Sequence, residues 1–237
     1  MSHIILNIPH CSGIIPEEYR NDLRLTDEEL ESEISLLTDV DTDKLFTGYT
    51  SIIAEVSRLI CDTERFLDAN KEPMEKRGMG VVYTKTADGR PLREPDEKKR
   101  RYFIDKYYIP YHDRLNKAVA SILEQYGKCL IIDCHSFSNE VPFIENGEDV
   151  CIGVDKYHTS EALSRYVINR FKSLGYTVEV NKPFAGAIVP MKYYKKDKRV
   201  ESIMFEINKR IYTQSEEQFT GLKKIIDEIL TELETTF

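Results

Sequence analysis

The chain contains no tryptophan, no CxxC pair and only five cysteines and five histidines. The cysteines (Cys11, Cys61, Cys129, Cys134 and Cys151) are scattered and odd in number. That excludes a complete disulfide frame and a cysteine-rich metal knot, and reads as the reduced thiols of a cytoplasmic protein. No stretch approaches the roughly 20 apolar residues of a membrane span. The N-terminus runs directly into Ile4-Ile5-Leu6-Asn7-Ile8 without the basic and apolar segments of a secretory leader, so a soluble protein is expected. Positive charge is in deficit, 33 Lys and Arg against 41 Asp and Glu, for a net charge of −8. This argues against a generic surface for nucleic acid or an anionic membrane, and leaves room for a local basic site that takes an acidic small molecule. An HExxH zinc motif is also missing.

With 41% hydrophobic and 31% charged residues, the 237-residue chain has the composition of an ordinary globular protein. It is read as one domain, 1–237, able to bury roughly 70–75% of its unfolded surface without staples. Short apolar runs predict strands over 4–8, 51–56, 129–133, 150–154, 177–180 and 202–207, with 58–62 continuing the second or forming another. Amphipathic spacing predicts helices over 27–37, 41–49, 101–126 with an interruption at Pro110, 160–174 and 222–233. Alternation of strands and helices predicts a three-layer α/β sandwich with a mixed, largely parallel sheet. Between 68 and 99, Pro73, Gly78, Gly80, Gly89, Pro91 and Pro95 among many charges predict a long loop excursion, the kind of segment that serves as a lid or substrate loop.

Polar residues at the carboxyl ends of strands are where an open α/β sheet places its site. Three segments qualify: Pro9-His10-Cys11-Ser12-Gly13, Ile132-Asp133-Cys134-His135-Ser136 and Met204-Phe205-Glu206-Ile207-Asn208. Two imidazoles and a carboxylate beside apolar strands need partners. Two neutral imidazoles plus a carboxylate suit zinc, with one position left open, and a nearby glutamate could carry protons. The bland reading is that each histidine is a hydrogen-bonded structural residue and that Glu206 pairs with Arg210.

The order of the blocks adds a resemblance. Ile8-Pro9-His10-Cys11-Ser12-Gly13 is similar to the PHSG signature of N-formylglutamate amidohydrolases, with a cysteine inserted. Thr38-Asp39 with Asp43-Lys44-Leu45 resembles the next block, and 57–65 (SRLICDTER) resembles R-x-x-x-D-x-N-R. Pro110-Tyr111-His112, Ile132-Asp133-Cys134-His135-Ser136, residues 181–186 (NKPFAG) and residues 205–210 (FEINKR) follow in family order. Seven blocks in order are specific where no single one is. The family in turn resembles zinc carboxypeptidases and aspartoacylase, whose mixed sheet lies between helices in a phosphorylase/hydrolase-like fold.

The resemblance implies a zinc-dependent hydrolase of N-acyl amino acids, with N-formyl-L-glutamate as reference substrate. It implies that His10 and His135 bind zinc, that Glu206 is the general base, and that Arg65 holds the substrate carboxylate, with Arg58, Asn181 and Gly186 as further substrate residues. The carboxylate ligand is assigned to Asp39, with Asp62 as the alternative. Glu64 departs from the pattern, standing where the family has Asn. Plain readings stand beside these: Arg58 and Arg65 as ion-pair partners of Asp62 or Glu64, His112 as a local hydrogen-bonding residue, the 181–186 turn as structural, and His3 and His158 as surface residues. Three rival functions stay open: a non-catalytic binding module, a carboxypeptidase-like hydrolase, and a hydrolase with Cys134 or Cys11 as nucleophile.

Overall fold

The structure is a computed structural model that describes residues 2–145 and 147–237. Its strands are β1 (Ile4–Ile8), β2 (Thr50–Ile53), β3 (Cys129–Phe137), β4 (Val150–Val154), β5 (Val178–Val180) and β6 (Val200–Asn208). They form one sheet in the order β2-β1-β3-β6-β4-β5. All neighbours run parallel except β4 and β6, which are antiparallel, so the sheet is mixed and largely parallel. The helices are α1 (Glu17–Arg20), α2 (Asp27–Leu37), α3 (Thr42–Leu45), α4 (Glu97–Phe103), α5 (Ile109–Tyr126), α6 (Glu161–Ser173) and α7 (Glu216–Thr236).

Period-2 alternation divides the central strands between two faces. Leu6, Ile132, Cys134, Phe205 and Ile207 pack with Leu163 and Phe171 of α6 and Ile226 and Leu230 of α7. On the other face Ile5 and Ile131 meet Tyr111, Leu115 and Val119 of α5. α5 covers that face only in part, and toward the carboxyl ends of β1, β3 and β6 the residues become Asn7, Asp133, His135 and Glu206, all buried. The sheet therefore places its polar residues on one face and at one end.

Three local expectations change. Residues 58–62 form turns: Ile60 N–H and Cys61 N–H both donate to the Ser57 carbonyl, which spends the bonds a strand would offer a neighbour. The 41–49 helix shrinks to α3, because Phe46 is extended and Gly48 takes a φ of +92°. The break near Pro110 lies before it, in a π-helical turn over Ile104–Tyr108 where Ile109 N–H reaches the Ile104 carbonyl. Pro110 then sits in the first turn of α5, where its missing N–H costs nothing.

The 68–99 segment carries a 3-10 turn over Pro73–Arg77 and a bridge between Lys85 and Pro91. Its Met79, Tyr83, Ala87 and Leu92 pack with Leu30 and Leu37 of α2 and with Leu59. His3 and His158, expected at the surface, are buried. His158 donates through Nδ1 to the Val200 carbonyl at 2.7 Å and accepts Lys195 N–H at Nε2 (2.8 Å), so both ring nitrogens serve the fold.

Candidate active site

His10 follows the end of β1 by two residues, and Asp39 follows α2 by two. The two segments are tied together, since Asp39 N–H donates to the His10 carbonyl at 2.9 Å. Lys209, just past β6, ties the end of α2 to that strand, its ammonium donating to the carbonyls of Ser35 and Leu36, each at 3.0 Å. His135 and Glu206 lie directly opposite each other on β3 and β6, on one face of the sheet.

Three of these side chains converge. His10 Nδ1 and His135 Nδ1 stand 3.3 Å apart. Asp39 Oδ2 lies 3.0 Å from His135 Nδ1 and 3.6 Å from His10 Nδ1. The far side of each ring is occupied: His10 Nε2 is 2.8 Å from Asp62 Oδ1. His135 Nε2 is 2.9 Å from Glu64 Oε2 and 3.1 Å from Asp133 Oδ1. A ring N–H spent on a carboxylate at Nε2 leaves the Nδ1 lone pair facing inward. Two imidazole lone pairs and a carboxylate oxygen meeting at these distances repel unless a cation or a proton lies among them. Asp62, the alternative ligand, stands on the outer side of the His10 ring.

The donor set fits zinc. Ligand bonds of about 2.0–2.1 Å in tetrahedral geometry place ligand atoms roughly 3.3–3.4 Å apart, and the three separations scatter about that value. His10, Asp39 and His135 form a group of buried side chains able to hold a metal ion, and Glu64, Asp133 and His135 form a second that shares His135. The second is read as support for the first, since a carboxylate on the outer nitrogen of a ligating histidine fixes its tautomer and raises its basicity.

The supporting groups are themselves bonded. Asn7 Nδ2 donates to Glu64 Oε1 at 2.9 Å and to Asp133 Oδ1 at 2.8 Å, and the Tyr111 hydroxyl donates to Asn7 Oδ1 at 2.6 Å. Asp133 Oδ2 accepts Ile188 N–H at 2.9 Å. Both Glu64 oxygens are thus engaged beneath His135. Burial, then the neighbouring Asp133, raises the Glu64 pKa. Burial opposes a charge on His135, yet Glu64 and Asp133 outweigh it and hold that pKa well above the usual range. Burial likewise opposes ionisation of Asp39, and the facing imidazoles of His10 and His135 overcome it and lower its pKa.

Glu206 is 6% exposed, and its Oε2 has no hydrogen-bond partner. Burial pushes its pKa up to about 8. Arg210, its plain alternative partner, instead donates to Asp149 at 2.8 Å and to the Gly147 carbonyl at 2.9 Å. A buried carboxyl left unpaired is costly to stability, which makes Glu206 a candidate functional residue. A cation held by His10, Asp39 and His135 would favour its ionised form.

Arg58 pairs with Asp62 Oδ2 through Nε (3.1 Å) and Nη2 (2.8 Å). Arg65 Nε lies 3.4 Å from the same oxygen, buried and without a hydrogen bond. The plain ion-pair reading of both arginines is therefore present in the structure. Arg65 is the more exposed, at 21% of its side chain against 14% for Arg58. His112 Nε2 is 2.8 Å from the Thr63 carbonyl and so braces the segment that carries Asp62 and Glu64. Asn181 ties its turn to the end of β4: Oδ1 accepts the N–H groups of Val154 (2.8 Å) and Gly186 (3.1 Å). Gly186 takes a φ of +88°.

The thiols do not suit nucleophilic chemistry. Cys134 is buried on the opposite face, where its Sγ meets the Ile132 carbonyl. Burial pushes the Cys11 thiol up to about 12, far from the thiolate form. Asn7, Asp133 and Tyr111 escaped the reading of site residues from the sequence. The period-2 relation of Asp133 to His135 was a usable signal for one of them.

A profile of the N-formylglutamate amidohydrolase family matches residues 2–213. The N-formylglutamate deformylase of Pseudomonas putida is 23% identical over 92% of this chain and 84% of its own length. That of Pseudomonas aeruginosa is 24% identical over 81% and 78% respectively. The crystal structure of an N-formylglutamate amidohydrolase from Ralstonia eutropha JMP134 superposes with a TM-score of 0.82 at 20% identity, covering 99% of this chain and 93% of that one. A gene product of Agrobacterium tumefaciens shares the fold at a TM-score of 0.69 and 18% identity, over 98% of this chain and 92% of its own. With the family profile covering nearly the whole chain and the site residues gathered at one end of the sheet, the chain belongs to the N-formylglutamate amidohydrolase family.

Proposed function

We propose that this protein is a zinc-dependent amidohydrolase that cleaves the amide bond of an N-formyl amino acid of the N-formyl-L-glutamate type, releasing formate and the amino acid. The observation that carries the reading is the convergence of His10 Nδ1, His135 Nδ1 and Asp39 Oδ2 beside the unpaired carboxyl of Glu206. His10, His135 and Asp39 would hold the ion, which when bound supplies Lewis acidity and lowers the pKa of water. Glu206 takes a proton from the attacking water and delivers it to the leaving nitrogen, so that the amine departs neutral.

Arg65 anchors the substrate carboxylate, with Arg58 behind it on Asp62. A guanidinium fork matches a carboxylate with two parallel bonds and selects free acids over amides. Asn181 holds the turn and so sets the backbone of residues 181–186, including the half-buried Gly186, rather than offering its own amide to substrate. Two histidines at strand ends of a mixed sheet, with a carboxylate from the segment after α2 set against them, support the proposed kinship with zinc carboxypeptidases.

The test is metal analysis of the purified protein together with a panel of N-formyl and N-acetyl amino acids. About one zinc per chain and preference for N-formyl dicarboxylic acids are expected. Zinc-loaded protein that turns over none of the panel would make the chain a binding module. Hydrolysis of peptides in their place would move it to a carboxypeptidase-like activity.

A further inference from the structure

Tyr83 lies in the 68–99 excursion, outside every block that resembles the family. Its ring is fully buried in the cluster formed by Leu59, Met79, Leu92 and the inner face of α2. Its hydroxyl leaves that apolar cluster to meet polar groups, donating to Asp62 Oδ2 at 2.8 Å and accepting from Arg58 Nε at 3.1 Å. The same Asp62 oxygen holds Arg58 Nη2 at 2.8 Å and faces Arg65 Nε at 3.4 Å. The other Asp62 oxygen accepts from His10 Nε2 at 2.8 Å and from Glu64 N–H at 3.0 Å. One carboxylate thus joins a metal-side imidazole to both arginines, with the Tyr83 hydroxyl as neutral donor on Oδ2 and the Glu64 N–H as neutral donor on Oδ1.

We propose that Tyr83 is a positioning residue, coupling the packing of the excursion to the orientation of His10 on one side and of Arg58 and Arg65 on the other. The inference rests on the zinc amidohydrolase reading. With two cations on Oδ2 and the hydroxyl gone, Glu64 N–H is the neutral donor left on Asp62, so the carboxylate is drawn further toward the arginines and its bond to His10 lengthens. The hydroxyl holds the carboxylate where both sides are served. A direct partner of a ligating histidine, as Asp62 would be of His10, contributes about 10- to 100-fold to metal affinity or activity, and Tyr83, one bond further out, acts at the lower end of that range.

The experiment is Tyr83→Phe, which removes the hydroxyl and keeps the ring. Zinc affinity is read by competition with a chromogenic chelator, KM with an N-formyl amino acid, and stability by thermal melting. Zinc binding should weaken about 10-fold and KM should rise. In an Asp62→Asn background the same substitution should cost nothing further, because its effect passes through that carboxylate. Met79→Ala, which loosens the packing around the ring and leaves the hydroxyl, should lower Tm and weaken zinc binding by less than Tyr83→Phe does. Zinc affinity and KM that stay at wild-type values in Tyr83→Phe while Tm falls would reduce Tyr83 to a packing residue, as would full additivity with Asp62→Asn. A wild-type protein that takes up no zinc overturns the parent reading and this one with it. A zinc-binding wild type beside an unaltered Tyr83→Phe overturns this one alone.

Discussion

Asp62 and His10 meet at 2.8 Å through Oδ1 and Nε2, and this bond turns the other ring nitrogen of His10 toward Asp39 and His135. The same relation recurs at His135, whose Nε2 faces Glu64 and Asp133. Each histidine is held by carboxylate on its outer side and offers Nδ1 inward, which is why three donors converge at one point.

The inner and outer carboxylates should separate by experiment. His10→Ala, His135→Ala and Asp39→Ala should each abolish zinc retention after dialysis, since each removes one of three donors. Asp62→Asn should retain zinc with affinity lowered about 10- to 100-fold, as expected for an outer-sphere partner. Complete zinc loss in Asp62→Asn beside a zinc-loaded Asp39→Ala would exchange the two roles.

Arg65→Lys keeps the charge and removes the planar fork. Loss of a charge-assisted bond contributes about 1.5–3 kcal/mol, so kcat/KM for an N-formyl dicarboxylic acid should fall roughly 10- to 150-fold, mainly through KM. The preference for a free acid over its amide should shrink with it. An unchanged preference would pass the role to Arg58, whose fork is already committed to Asp62 at 2.8 and 3.1 Å.

Glu206→Gln preserves volume and polarity and removes the proton acceptor. With fold and zinc intact, kcat should drop about 10²–10⁴-fold, the usual share of acid–base catalysis. Zinc loss in this variant would place Glu206 among the ligands, and turnover near the wild-type rate would end its assignment as base.

Burial raises the Glu206 pKa from 4.5 in the unfolded chain to about 8 in the metal-free fold. Between those values the folded state binds more protons, so this group's contribution to stability is full below pH 4.5 and is lost as pH rises through 8. Metal-free wild type should therefore lose Tm relative to Glu206→Gln as pH climbs across that window. Zinc should flatten the difference by favouring the ionised carboxylate. Parallel pH profiles of the two metal-free proteins would show that Glu206 titrates normally.

Much of the site was legible because it lies in short segments whose chemistry is local. His10 and His135 stand at or beyond strand ends, and the alternation in 202–207 already put Glu206 on the same side as Met204. β1, β4 and α2 were readable for the same reason: their apolar spacing matches a strand or helix within a single window. The π-helical turn before Pro110 was hidden, since the spacing of apolar residues changes little where one hydrogen bond shifts by one residue.

The order of residues along the chain settled the kinds of donor available, their place at the ends of strands and the α/β class, since these follow from side-chain chemistry and hydrophobic period alone. The folded chain settled the pairing of donors: Asp39 over Asp62 at the inner nitrogens, Glu64 beneath His135, and Tyr83 on Asp62 from 21 residues away. A metal site depends on separations of about 3 Å between groups distant in sequence. Those separations come from sheet register, the exit angle of α2 and the packing of the 68–99 excursion, none of which a local window contains.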